Sequence, residues 1–192
     1  FLIGLYAVYH QNLLPGWLVS YLPETFAAIG LVFILKAFVE RGSALTSWAL
    51  IIVNQLYQSL AFGFNEEFDF TQVHIYLSGI FISGFVGIWV LNKLNRGGES
   101  TLLNRFHGHA YEHPRLAFVF VVAALGLAGF PITPTFIGED LMLGHIHENQ
   151  LPLLLLIVLN LILDGLVIFR IYSRIFLGPH DKGYHEVAYR SS

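Results

Sequence analysis

The chain has 192 residues, 55% hydrophobic and only 12% charged, with a mean hydropathy of +0.63 and a formal charge of −3. Soluble domains carry about 25% charged residues, so this balance excludes a soluble globular protein, a disordered one and a basic nucleic-acid binder. The absence of cysteine excludes disulfides, thiolate metal centres and thiol catalysis. What remains is an integral membrane protein, with room for roughly five or six spans at ~20 residues each.

Residues 1 to about 12 form an apolar segment too short to cross ~30 Å of hydrocarbon. It opens in mid-pattern without Met or a charged region, so it does not read as a signal peptide. It reads instead as the end of a helix in a longer protein. Residues 13–23, with Pro15, Gly16 and Pro23, are expected to form a loop. Apolar segments follow over about 24–39, closed by Glu40-Arg41-Gly42, and over about 46–64, closed by an acidic turn at 65–69. Another runs over about 72–94, and a polar stretch at 95–113 holds Gly97, Gly98 and three histidines.

The next apolar segment, 114 to about 146, is too long for one straight span. Gly129, Pro131 and Pro134 interrupt it, and each proline removes a backbone donor and clashes with the preceding turn. A broken helix is therefore expected within 114–146, its halves near 114–130 and 136–146, with freed carbonyls near Phe130. The segment 151–177 is long enough to span with some tilt, and 178–192 is a polar tail. The expected fold class is an all-α integral membrane protein, a bundle of about six transmembrane helices with one broken in the middle. It forms a single membrane domain over 1–192.

Basic residues set the orientation. If the broken segment crosses once, one side collects Arg41, Lys93, Arg96, Arg105, Arg115, Lys182 and Arg190, while the opposite loops at 13–23, 65–71 and 147–150 have no Lys or Arg. The positive-inside rule makes the first side, and the tail with it, cytoplasmic.

Ionisable groups at membrane depth are costly and mark function by default. Glu139 and Asp140 follow the expected break, where transporters build ion sites. A proton-handling role fits Glu139 best; Asp140 equally suits a capping acid in a first helical turn. The two are rotated by ~100° and do not share a face. Asp164 lies near the middle of the last segment, with Asn160 one turn before it, and is either a pathway residue or a structural partner. Arg170 is placed to pair with an acid on another helix, and Arg174 to snorkel. Lys36 reads as snorkelling or as a buried relay, and His74 as an interfacial histidine or a proton shuttle. Asn54, Gln55 and Gln58 suit interhelical hydrogen bonds or a water-lined path.

His107, His109 and His113 look superficially metal-like, but the only carboxylate near them in sequence is Glu112. A solvated or partner-facing loop is the better reading, and the same holds for His145, His147, His180 and His185. No metal and no cofactor are expected. No phosphate loop, nucleophile elbow or HExxH is present, so no covalent chemistry is expected of this chain.

The run from Leu125 to Leu143, with Gly129-Phe-Pro-Ile-Thr-Pro and then Phe136-Ile-Gly-Glu139, resembles the broken helix of the antiporter-like membrane subunits of respiratory complex I and of Mrp-type sodium/proton antiporters. Phe169-Arg170-x-Tyr172 and Phe176-x-Gly178 resemble the close of the next family helix. Gly4-Leu-Tyr6 resembles the end of an earlier one. In order, these map the chain onto the C-terminal part of a protein of about fourteen helices.

The family's buried lysine would fall near Leu2, where none stands. Its Asp-x-Lys-Arg motif would fall at 43–47, which lacks both charges, and its usual later histidine falls near Ser78. The resemblance implies a proton- or cation-translocating subunit of a larger complex, with other membrane or cytoplasmic subunits as partners. It also implies an energy-transducing membrane such as the bacterial inner membrane. The wording around Pro131–Asp140 is similar to a branch that serves as the membrane subunit of two-component inorganic-carbon (bicarbonate/carbon dioxide) accumulation complexes. A non-conducting anchor for a partner is the remaining alternative, and nucleic acid is not an expected partner.

Overall fold

The computed structural model describes residues 1–65, 70–144, 146 and 150–179. Its elements are α1 Leu2–Tyr9, a 3-10 turn Gln11–Leu13, α2 Gly16–Val39, α3 Ala44–Gly63, α4 Phe70–Arg96, α5 Pro114–Leu127, α6 Pro134–Leu143 and α7 Leu151–Phe176. Among the described residues there is no strand. The segments Gly16–Val39, Thr71–Arg96 and Leu151–Phe176 are long and apolar enough to cross a membrane, and α5 is a shorter apolar helix. The chain is an all-α integral membrane protein. Its outer faces carry large apolar side chains, among them Val32, Phe85, Phe118, Leu155 and Phe169, as lipid contact requires.

Loop contacts define two ends of the bundle. At the basic end, Ala44 N donates to Thr101 O and Leu103 N to Arg41 O, which ties the α2–α3 turn to the α4–α5 loop. The backbone N–H groups of 107–110 donate in turn to carbonyls of 174–177 at the end of α7. At the opposite end, Asn65 and Gln150 exchange two amide hydrogen bonds, of 3.2 and 2.8 Å. There too Gln11 donates to Gly63 O at 2.7 Å. The chain thus alternates between the ends. The expected acidic turn beyond Asn65, His145 and His147, and the tail from His180 lie outside the described residues.

Three expectations are corrected. The loop expected at 13–23 is mostly helix, since α2 starts at Gly16 and runs through the buried Pro23. Leu14 and Pro15 are extended, Pro15 as the residue before the first turn. A proline inside a continuous apolar run costs the bond its missing N–H would make, and membrane helices absorb this through neighbouring packing and hydroxyl side chains.

The second correction concerns the break, which spans 128–133. The Phe130 carbonyl is not free: Thr133 donates to it from its N–H at 3.0 Å and from its hydroxyl at 2.7 Å. Thr133 Oγ1 also accepts from Phe136 N at 3.3 Å, so Thr133 caps α6. Pro134 then occupies the first helical position, where a missing N–H costs nothing. Pro131 lies in the break, and Pro134 starts a helix rather than ending one.

The third concerns the histidine loop. His107 and His109 are buried, not solvated. Their Nε2 atoms each lie 2.8 Å from a carbonyl, of Leu102 and of Ser100. The loop folds back onto α7 because its backbone needs partners, and the last carbonyls of α7 need donors.

Close packing on the α3–α4–α5 side is set by small residues and aromatic rings. A Cβ at Gly138 of α6 would lie 2.6–2.9 Å from Cβ, Cα and N of Tyr76 on α4. Towards the basic end, Trp48, Phe120 and Phe176 stack in succession, and Trp48 Nε1 donates to Gly84 O at 3.0 Å.

Candidate functional site

The polar interior is built on α3. Its inner face buries Ser47, Asn54, Gln55, Gln58 and Ser59. Residues four apart on a helix share a face, so Asn54 and Gln58 point the same way. Asn54 Nδ2 donates to Asp164 Oδ2 on α7 at 3.0 Å, and Gln58 Nε2 lies 3.5 Å from Asn54 Oδ1. Gln55 Nε2 donates to Leu127 O at 2.7 Å and lies 3.5 Å from the same Asp164 oxygen. Leu127 is the last residue of α5, so its carbonyl is one that a helix end leaves without an internal donor. One amide of α3 therefore links the broken helix to the carboxyl of α7.

Glu139 lies on α6, 8% exposed, and its carboxylate folds back against Gly129 in the break. Gly129 has φ +66 and any Cβ there would collide with Glu139 Oε2, so glycine serves both the turn and the carboxylate's seat. Asp164 is 2% exposed. The two carboxyls lie close enough to repel one another when both are charged, and Tyr76 is buried where the fields of both reach it. Glu139 Oε1 and Asp164 Oδ1 have no protein hydrogen-bond partner, and neither do Gln55 Oε1, Gln58 Oε1, Asn160 Oδ1 and Thr135 Oγ1. A buried polar atom without a partner costs about 1–3 kcal/mol. Buried polar atoms of this kind are few in native structures.

The other candidates lie apart from this pair. Asp140 is exposed on α6, as its rotation from Glu139 requires. Lys36 is exposed on the outer face of α2, which fits snorkelling and not a buried relay. His74 is exposed, and its Nε2 lies 2.7 Å from Tyr9 Oη. Among the described residues Arg170 pairs with no acid side chain: it donates to the carbonyls of Ala37 and Glu40 at 2.8 Å each, and to Phe38 O. The end of α2 offers partial negative charge on carbonyls without internal donors, and a guanidinium on α7 caps it from outside.

Sequence reasoning passed over Thr135 and Tyr76, and read Gly129 as part of the break but not as the seat of a carboxylate. Their signals are weak: a hydroxyl just after a proline, a tyrosine inside an apolar run, and a glycine two residues before a proline. It also missed Glu99, whose carboxylate lies 3.5 Å from His109 Nδ1 and 3.8 Å from His113 Nε2. Matching the two ends of the 97–113 loop would have found it.

Residues 57–163 match the family described as "NADH:quinone oxidoreductase/Mrp antiporter, TM". The match runs from the middle of α3 to the residue before Asp164. Among curated proteins, the NADH-quinone oxidoreductase subunit N of Cytophaga hutchinsonii is 24% identical over 109 residues, covering 56% of this chain and 24% of that protein. Subunit M of Rickettsia bellii is 35% identical over 74 residues, covering 38% and 15%. Subunit N of Blochmanniella floridana is 28% identical over 99 residues, covering 47% and 20%. The chain thus matches no more than about a quarter of the length of these relatives. No solved structure matches it. With more than half of its length matched, helix break included, the chain belongs to the NADH:quinone oxidoreductase/Mrp antiporter transmembrane family.

Proposed function

We propose that this chain is part of a proton-translocating membrane subunit, in which Glu139 and Asp164 pass protons across the break between α5 and α6. One observation carries this reading: two buried carboxyls on different helices flank a helix break, Glu139 against Gly129 and Asp164 linked through Gln55 to Leu127, each with an oxygen that no described protein group bonds. An ionisable group in hydrocarbon costs at least ~2.5 kcal/mol even on insertion scales. Two of them side by side, repelling when both are ionised, are kept for use rather than for stability. The repulsion favours states in which the pair shares protons, and the amides of Asn54 and Gln55 hold Asp164 Oδ2 so that Oδ1 faces its neighbours. Water on the unpartnered oxygens of Gln55, Gln58 and Asn160 completes the path.

The curated relatives are named as subunits of NADH-quinone oxidoreductase. By that likeness the chain works inside a multi-subunit complex of an energy-transducing membrane, with other subunits as partners. Its basic end faces the cytoplasm.

The test is pH-gradient-driven proton flux in proteoliposomes, comparing Glu139→Gln, Asp164→Asn and Asp140→Asn. The first two are expected to lower flux by about 10²-fold, the low end for a positioned proton-transfer group, with assembly retained. Asp140→Asn is expected to leave flux unchanged. Full flux in both Glu139→Gln and Asp164→Asn would make the chain a non-conducting anchor.

A further inference from the structure

We propose that Glu99, His109, Glu112 and His113 bind a divalent transition ion, Zn²⁺ by ligand type, which staples together the two ends of the loop between α4 and α5. The cluster lies away from the carboxyl pair and stands independently of the reading above. Glu99 follows the last residue of α4 by three positions, and His113 immediately precedes α5. His113 N donates to His109 O at 2.8 Å, a single helical turn that brings both imidazoles to one side. The Glu99 side chain, 8% exposed, reaches both of them: Oε2 lies 3.5 Å from His109 Nδ1 and Oε1 lies 3.8 Å from His113 Nε2. One ligand atom each from Glu99, Glu112 and His113 fall within 4.8 Å of one another, and His109 joins this group through Glu99 alone.

His109 points to a cation rather than to a plain ion pair. Its side chain is 5% exposed, and its Nε2 lies 2.8 Å from Ser100 O. A carbonyl only accepts, so Nε2 carries the proton. Nδ1 is then a lone pair with no hydrogen-bond partner, aimed at a carboxylate oxygen. A lone pair and a carboxylate oxygen facing each other at 3.5 Å are the donor set a divalent cation takes between them. Zinc takes nitrogen at ~2.0–2.1 Å and carboxylate oxygen at ~2.0–2.2 Å, so the edge of its tetrahedron is about 3.3–3.5 Å. The His109–Glu99 separation is such an edge.

The bond from Nε2 to a backbone carbonyl is also the outer contact that orients a ligating imidazole. Glu99, Glu112 and His113 are only partly buried, which leaves the ion a way in. Because residues 107–110 are laced to the end of α7, an ion here fixes the mouths of α4, α5 and α7 together.

The full-length protein, stripped with chelator in detergent and dialysed, is titrated with Zn²⁺ alone by calorimetry. In parallel, Co²⁺ is added and its visible absorption is recorded. One equivalent of Zn²⁺ is expected to bind. Glu99→Gln and His113→Ala should each weaken it by at least about 100-fold, since losing even an outer-shell partner costs 10–100-fold. His10→Ala, at the opposite end, should bind as wild type. Should a variant fail to fold, the wild-type cobalt spectrum decides: intense visible bands that Zn²⁺ abolishes show a four-coordinate site with nitrogen and oxygen ligands. No stoichiometric zinc in the wild-type protein, no such bands, or undiminished affinity in both folded variants would leave an ordinary histidine–glutamate cluster and overturn the site.

Discussion

Helices α2 and α3 pack side by side and use the membrane in opposite ways. α2 is apolar enough to be read as a span, yet it turns Val32, Leu35, Phe38 and Val39 outward and buries mostly small residues, Ala27, Gly30 and Ala37 among them. α3 is not among the segments apolar enough to be read as spans, yet most of it is buried, and its amides hold Asp164 and the end of α5. Hydropathy therefore reports contact with lipid, not centrality. In a membrane interior a polar helix survives only where other helices shield it and satisfy it. The polarity that hides α3 from a span search is what marks it as the scaffold of the site.

The contrast breaks most severely at the seam between the two helices. A Cβ at Gly30 would lie 2.5 Å from Asn54 Oδ1 and 3.4 Å from the Asn54 backbone carbonyl. The side chain can move aside only by giving up Asp164, and the backbone cannot move without separating the helices. Gly30→Leu is expected to destabilise by about 3 kcal/mol, the upper end for overpacking, and to abolish proton flux. Leu35→Ala, on the lipid face of the same helix, serves as the reference in an unfolding assay in mixed micelles. Equal losses for the two would mean that α2 does not distinguish an inner from an outer face.

A smaller effect is expected at Gln55. Replacing it by Leu keeps the volume and removes the donor to Leu127 O and to Asp164 Oδ2. A buried carbonyl left unpaired costs about 1–3 kcal/mol. The same change frees the end of α5 from the carboxyl of α7. Flux should fall while Asp164 stays in place on Asn54, and Gln55→Glu should not rescue it at a pH where the new carboxyl is ionised, because a carboxylate cannot donate to a carbonyl. Rescue by Gln55→Glu would show that the position needs only polarity, and that α3 is not a scaffold of directed bonds.

Much of this was legible in the chain. Charge scarcity gave the membrane class, and the prolines with Gly129 gave the interruption of the fifth segment. Glu139 and Asp164 stood out because acids are rare at that depth. What spacing along one helix could not reveal was any relation between helices. It could not show that Gln55 reaches Leu127, that Arg170 caps a neighbouring helix instead of meeting an acid, or that Glu99 returns to the histidines fourteen residues and less beyond it. Pro23 misled for a related reason. A proline is a local rule, and the packing around α2 overrides it. Pro134 obeyed its rule at a helix start.

The smallest effect is expected at Lys36, and it tests the outer side of the comparison. Lys36 sits in the last turn of α2 and is exposed. A cation near a helix C-terminus contributes about 0.3–1 kcal/mol when it answers the free carbonyls. Here Arg170 already donates to those of Ala37, Phe38 and Glu40, so little is left for Lys36 to add. Its long stem instead suits the lipid boundary, with the ammonium carried towards the headgroups. Lys36→Met is therefore expected to change stability by no more than about 0.5 kcal/mol, as surface substitutions do, and to leave proton flux at the wild-type level. Arg170→Met, at the neighbouring position on α7, should lower stability measurably in the same assay. Were Lys36→Met to cut flux as Glu139→Gln does, protons would be moving along the lipid-facing side of α2, and the division between a shielding helix and a conducting interior would be wrong.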